Sequence, residues 1–140
     1  MRNELLNLYK KLSPYSEVKE CLEGIKAKKI KIAILSNGTP DLLKGLVESN
    51  KIQNYFDDIF SIETVGIYKP DSKVYEMPIK NYGCEPENIC FMSSNTWDIS
   101  GRGLFGYNAV WVNRFNKVFD KLSYKPKFVV NNLKELLTII

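Results

Sequence analysis

Ile30-Lys31-Ile32-Ala33-Ile34-Leu35-Ser36-Asn37-Gly38-Thr39-Pro40 is the stretch that decides the fold. Ile30 to Leu35 is a short, β-branched run, which suits a parallel strand buried on both faces. Ser36-Asn37-Gly38 ends it with turn-forming residues. A helix follows at once, with Thr39 as N-cap, Pro40 in the first helical position, and Leu42, Leu43, Leu46 and Val47 as a buried stripe reaching Asn50. A strand that turns straight into a helix is half of a β-α-β unit, so the rest of the chain is read for repetitions of it.

Upstream, residues 3 to 12 read as a helix stopped before Ser13-Pro14, and 17 to 28 as an amphipathic helix with Val18, Leu22 and Ile25 on one face. Downstream, Ile59 to Ile62 is a strand, 64 to 71 a loop, and Ser72 to Tyr82 a helix closed by Gly83. Pro78 falls inside that helix, where an interior proline costs about 3 kcal/mol, so a bend or break is expected between Tyr75 and Pro78. Ile89 to Met92 is a third strand running into Ser93-Ser94-Asn95-Thr96-Trp97-Asp98. A helix to Phe105, strands at 109 to 112 and 128 to 130, and a closing helix at 133 to 140 complete the pattern. The expectation is an α/β fold, an open, mostly parallel Rossmann-like sheet with helices on both faces. Residues 1 to 140 read as a single domain, without repeats, low-complexity stretches or interdomain linkers.

Composition narrows the chemistry. The chain has no histidine, which excludes Ser-His-Asp and Cys-His nucleophile activation, imidazole bases and histidine metal sites. Three cysteines, Cys21, Cys84 and Cys90, lack metal-ligand spacing and read as reduced thiols. A net charge of +4 raises nucleic acid as a partner. Its densest basic cluster, Lys26, Lys28, Lys29 and Lys31, instead sits at the end of a predicted helix and complements the helix dipole. No apolar run approaches a membrane span or a signal-peptide core, so the expected compartment is the cytoplasm, with neither membrane nor nucleic acid as partner.

In parallel sheets ligands bind beyond the carboxyl ends of the strands. Ser36-Asn37 and the loop from Ser93 to Asp98 each follow a strand directly, and the loop carrying Lys69 is expected to join them. Each piece has a plain reading and a functional one. Ser36-Asn37-Gly38 is a turn, or else a hydroxyl, an amide and open backbone N–H groups forming an anion site at a helix N-terminus. Lys69 is a solvated lysine or a charge partner, and Asp98 a helix cap or a site carboxylate. Trp97 and Tyr75 are either core or pocket lining.

In order along the chain, strand-SNG, then Tyr68-Lys69-Pro70-Asp71-Ser72 with Tyr75 six residues after the lysine, then strand-SSNTWD, then Val110-Trp111-Val112-Asn113-Arg114, this sequence resembles the haloacid dehalogenase superfamily, and within it the L-2-haloacid dehalogenase type. The likeness runs nearly end to end. It implies hydrolytic dehalogenation of short 2-haloalkanoic acids through an aspartyl ester, with no cofactor. Ser36 and the Asn37 backbone would bind the substrate carboxylate and Lys69 would hold the nucleophile. Ser93, Asn95 and Asp98 would position and activate the hydrolytic water, Trp97 would line the pocket and Tyr75 would support the site. Ser93 and Asn95 stand where the superfamily's phosphatases carry acidic Mg²⁺ ligands, so no metal is implied.

The resemblance also implies a nucleophilic aspartate on a first, central strand and a helical cap, neither of which is found in residues 1 to 140. The chain is read as an N-terminally truncated core, with 1 to 12 the return helix from the cap, doubtful activity alone, and a homo-oligomer or a separately encoded N-terminal segment as partner. The alternatives are a catalytically dead remnant that still binds small anions, an interaction domain using an open sheet edge, and a phosphatase of the same superfamily.

Overall fold

Thr39 caps the helix that follows the deciding strand, its hydroxyl accepting from the Leu42 N–H at 3.4 Å, with Pro40 in the first turn. The computed structural model describes residues 2–140 and divides them into two compact units, the first ending at Ile67 and the second running from Tyr68 to Ile140.

The first unit holds α1 (Arg2–Tyr9), α2 (Val18–Ala27), β1 (Ala33–Ser36), α3 (Pro40–Ser49) and β2 (Asp58–Ser61). β1 and β2 pair in parallel, with Ser36 opposite Ser61. Cys21, Leu22 and Ile25 of α2 and Leu43 and Val47 of α3 bury the apolar stripes read from the sequence. The strand is shorter than expected and not buried on both faces. It opens at Ala33, and Ile34 and Leu35 are half-buried. Two physical reasons account for this. Lys29 adopts a left-handed φ of 59° and Ile30 N–H returns to Ile25 carbonyl, so Ile30 belongs to the stop signal of α2. In addition β1 has one ladder neighbour only.

The second unit holds α4 (Ser72–Tyr82), β3 (Cys90–Ser93), α5 (Thr96–Phe105), β4 (Asn108–Val112) and β5 (Phe128–Val130). All ladders are parallel, in the order β3-β4-β5. β4 lies in the middle, and its residues from Ala109 to Val112 are buried. Ile99, Ala109 and Trp111 make a core against which Phe91, Phe119 and Tyr124 pack. α4 runs unbroken from Ser72 to Tyr82, contrary to the break expected at Pro78. It is held at both ends, by the Asp71 carboxylate accepting from Lys73 N–H at 2.9 Å and by Gly83 at φ 60°, and Val74, Tyr75 and Pro78 are buried between. The closing helix is also corrected. Residues 133–138 form 3₁₀ turns, capped by the Asn132 side chain, because Thr138-Ile139-Ile140 is a β-branched end with little helical preference.

The strands ending at Ser36 and Ser93 lie in different ladders, each at an edge of its own. No helix among the described residues is long and apolar enough to cross a membrane.

Candidate active site

In the second unit the site is built around one carboxylate. β3 delivers the chain to Ser93, residues 94 and 95 turn it, and α5 begins with Asn95 as its N-cap residue. Asp98 therefore falls in the first turn, and it is only 3% exposed. It does not cap the helix. Its Oδ2 accepts from Lys69 Nζ at 3.1 Å and its Oδ1 from the Tyr75 hydroxyl at 2.7 Å. The Lys69 side chain is 9% exposed and Tyr75 is fully buried. A buried ion pair persists only where hydrogen bonds satisfy the remaining lone pairs, and Tyr75 does this for Asp98. Burial first, and then the bond to Asp98, push the Tyr75 hydroxyl well above the usual tyrosine range, so it donates and stays protonated.

Two further side chains hold Tyr75. The Tyr107 hydroxyl donates to its backbone carbonyl, and burial raises Tyr107 to about 12. The Arg102 guanidinium lies over its ring, with the rings of Phe91 and Phe105 at 5.7 and 5.5 Å. Arg102 is 1% exposed, and burial pulls it down to about 10. Its Nε and Nη1 are buried without a hydrogen-bond partner among the described residues.

The loop ahead of α5 is set by its own atoms and by later parts of the chain. Ser93 Oγ accepts from Asn95 N–H at 3.1 Å, the Trp111 indole N–H donates to the Ser94 carbonyl at 3.2 Å, and the Thr96 hydroxyl bonds the Asp120 carboxylate. Since Ser93 Oγ is used as an acceptor, its proton is available to donate elsewhere. The side chain of Asn95 makes no cap hydrogen bond and the residue is exposed. Trp97 is 41% exposed.

In the first unit, Ser36 Oγ accepts from Gly38 N–H at 3.0 Å, and Ser61 donates to the Gly38 carbonyl at 2.7 Å. A Cβ on Gly38 would stand 3.0 Å from the Leu43 side chain, a tight contact that Leu43 would have to yield to. Asn37 is exposed at its tip, ahead of the N-terminus of α3. A serine hydroxyl and a turn placed ahead of a helix N-terminus suit an anion.

Of the residues read from the sequence, Lys69, Tyr75 and Asp98 form one hydrogen-bonded cluster. Ser93 and Asn95 share the loop before it, and Ser36 and Asn37 share the turn of the first unit. Arg102, Tyr107 and Ser61 were missed. Arg102 had a signal, since it lies four residues after Asp98 on the same helical face. Tyr107 and Ser61 had none, because Tyr107 reaches Tyr75 only through tertiary packing against α4 and only the β1-β2 ladder brings Ser61 to the turn of Gly38.

The donor set around Asp98 does not fit the Mg²⁺ of the superfamily's phosphatases. A hard cation takes several oxygen ligands, whereas both Asp98 oxygens are engaged by an ammonium and a phenol. No group of three or more His, Cys, Asp or Glu side chains that could hold a metal ion occurs among the described residues.

The chain is 36% identical over 138 residues to the (S)-2-haloacid dehalogenase of Pseudomonas sp. (strain YL), covering 99% of this chain and 60% of that protein. It is 39% identical over 132 residues to the (S)-2-haloacid dehalogenase of Pseudomonas fluorescens, covering 94% and 58%. A crystal structure of a dehalogenase superposes with a TM-score of 0.92 at 36% identity, over 96% of this chain and 59% of that one. The chain thus spans about 60% of the length of the curated relatives it matches. A model of the haloacid dehalogenase-like hydrolase family matches residues 1–112, and the chain belongs to that family.

Proposed function

We propose that this chain carries the water-activating and charge-holding half of an (S)-2-haloacid dehalogenase site, acting on short 2-haloalkanoic acids in the cytoplasm without metal or cofactor. The observation that carries the reading is the buried Asp98 carboxylate held between the Lys69 ammonium and the Tyr75 hydroxyl. In the proposed reaction a carboxylate displaces halide from C2 to form an ester, and water hydrolyses the ester at its acyl carbon. Ser36 and the Asn37 backbone bind the substrate carboxylate. Lys69 holds the nucleophile's charge, Ser93, Asn95 and Asp98 orient and activate the water, Tyr75 fixes Asp98, and Trp97 lines the apolar end of the substrate.

Asp98 is not the nucleophile in this scheme, because both its oxygens are already committed. The attacking carboxylate is assigned to a segment outside residues 1 to 140, supplied in a longer chain or by a separate one. Halide release from L-2-chloropropionate tests this. The 140-residue chain alone is expected to give none, and a chain joined or mixed with an N-terminal strand ending in aspartate is expected to turn over. In that active form Asp98→Asn should lower the rate by about 100-fold or more, the usual worth of a positioned base. Sustained turnover by the chain alone would remove the external nucleophile from the scheme. Mg²⁺-stimulated hydrolysis of a phosphate ester would replace the dehalogenase reading with a phosphatase.

A further inference from the structure

We propose that Asn37 is a site of self-modification, where the neutral amide at the tip of the first unit's turn converts to a carboxylate and weakens the turn's hold on anions. Asn37 is the only asparagine in the sequence that is followed by glycine. Ring closure between an asparagine side chain and the next backbone nitrogen is hindered by the Cβ of that next residue, and glycine has none. Asn37 is exposed and lies in the bend between the end of β1 and the N-cap of α3, so water reaches it. The Gly38 N–H donates to Ser36 Oγ at 3.0 Å and the Gly38 carbonyl accepts from the Ser61 hydroxyl at 2.7 Å. These bonds hold the attacking nitrogen in place beside Asn37, and the swing that closes the ring falls on Asn37. That residue has contacts of its own, which at an exposed position compete with water and set the rate of the swing rather than its end point.

The step is an internal acyl transfer. The Gly38 nitrogen forms a bond to the Asn37 side-chain carbonyl carbon, the bond from that carbon to Nδ2 breaks, and Nδ2 leaves as ammonia with the proton given up by the Gly38 amide. Water then opens the cyclic imide. Opening at the side-chain carbonyl gives aspartate, and opening at the backbone carbonyl gives isoaspartate, in which the chain runs through the side chain. The net change consumes one water and releases one ammonia. Either product sets a carboxylate ahead of the N-terminus of α3, where the helix dipole favours negative charge. A fixed carboxylate there repels a second one. This consequence rests on the proposed role of Ser36 and Asn37 in holding the substrate carboxylate, whereas the conversion itself does not.

The conversion is tested on the 140-residue chain, aged while folded in mildly alkaline buffer, then digested and read by chromatography and peptide mass spectrometry. Asn116, also exposed and followed by Lys117, is the internal reference. Asn37 is expected to convert about tenfold faster than Asn116 or more, because its attacking nitrogen belongs to a residue without Cβ. Its products should include isoaspartate as well as aspartate. Gly38→Ala should bring the rate at Asn37 down to that at Asn116. Equal rates at the two asparagines of the wild-type chain would overturn the site, and aspartate without isoaspartate would overturn the imide route. Since a Cβ at residue 38 presses on the Leu43 side chain, the wild-type comparison decides alone should that variant not fold.

The effect on binding is read separately, from the shift of the Gly38 amide signal as L-2-chloropropionate is added to the fresh chain, the aged chain and Asn37→Asp. The aged chain and the variant are expected to bind about five- to tenfold more weakly than the fresh chain, the worth of one partly screened like charge. Equal binding by Asn37→Asp and the fresh chain would sink the switch. No binding by the fresh chain would remove both the carboxylate reading of the turn and the switch built on it, while the rates at Asn37 and Asn116 decide the modification by themselves. None of these readouts involves halide turnover, so they stand apart from the fate of the dehalogenase reading.

Discussion

At the scale of single residues the Asp98 cluster is a tight charge balance. Lys69→Met leaves a buried carboxylate without its counter-charge and should cost about 3 to 5 kcal/mol in denaturant unfolding. Tyr75→Phe removes one donor from the same carboxylate and should cost about 1 to 3 kcal/mol. Arg102 acts in the opposite direction. Its guanidinium is buried with two nitrogens unpartnered, and burial has lowered its pKa to about 10. Arg102→Met keeps an apolar stem against Tyr75 and Phe91 and removes the desolvated donors, so it should raise stability by about 1 to 2 kcal/mol at pH 7. A loss of stability would show that the cation holds Tyr75 or Asp98 by more than packing. Lys69, Tyr75 and Asp98 were legible in the sequence because their spacing within known motifs carries them. Arg102 had only the weaker signal of its spacing four residues after Asp98, and its burial shows once its neighbours are known.

At the scale of elements, turns and caps were legible and burial was not. Thr39, Pro40, Asp71 and Gly83 act within a few residues of themselves, so sequence suffices to find them. Gly83 sits at φ 60° with open space around it, so Gly83→Ala should cost about 1 kcal/mol from backbone strain alone, measured by thermal unfolding. The unbroken α4 was not legible, since the penalty of Pro78 is local while the burial of Val74 and Tyr75 that outweighs it is tertiary. Asp57 shows the same dependence on neighbours. Its carboxylate accepts from Lys26 Nζ at 2.9 Å and from Ile32 N–H at 2.8 Å, tying α2 to the chain entering β1. The bond to Lys26 first, then that to Ile32, hold its pKa below the ordinary 3.8. A carboxyl lowered on folding contributes stability above its unfolded pKa and loses it as pH falls through the folded one. Asp57→Asn should therefore destabilise the chain at pH 7, and the difference from wild type should vanish in acid below that range. A gap that persists in acid would point to shape rather than charge.

At the scale of the whole molecule the strand order matters more than the element count. The alternation of strands and helices was readable, as was the parallel sense that short connections through helices impose. The division into a two-stranded and a three-stranded ladder falls where the family resemblance implies a central strand that residues 1 to 140 do not contain. Among the described residues β4 alone has neighbours on both sides. Its amides should be the slowest to exchange with deuterium, and those of β1 and β2, each with one partner, should exchange faster.

Order of assembly is a further matter. The loop from Ser93 to Asp98 receives its outer supports from Trp111 and Asp120, which follow it by 17 and 24 residues. During synthesis the motif is thus made well before the parts that fix its shape, and closing these longer loops comes at an entropic disadvantage. This loop should set late, so Thr96→Ala should quicken unfolding while leaving the refolding rate nearly untouched.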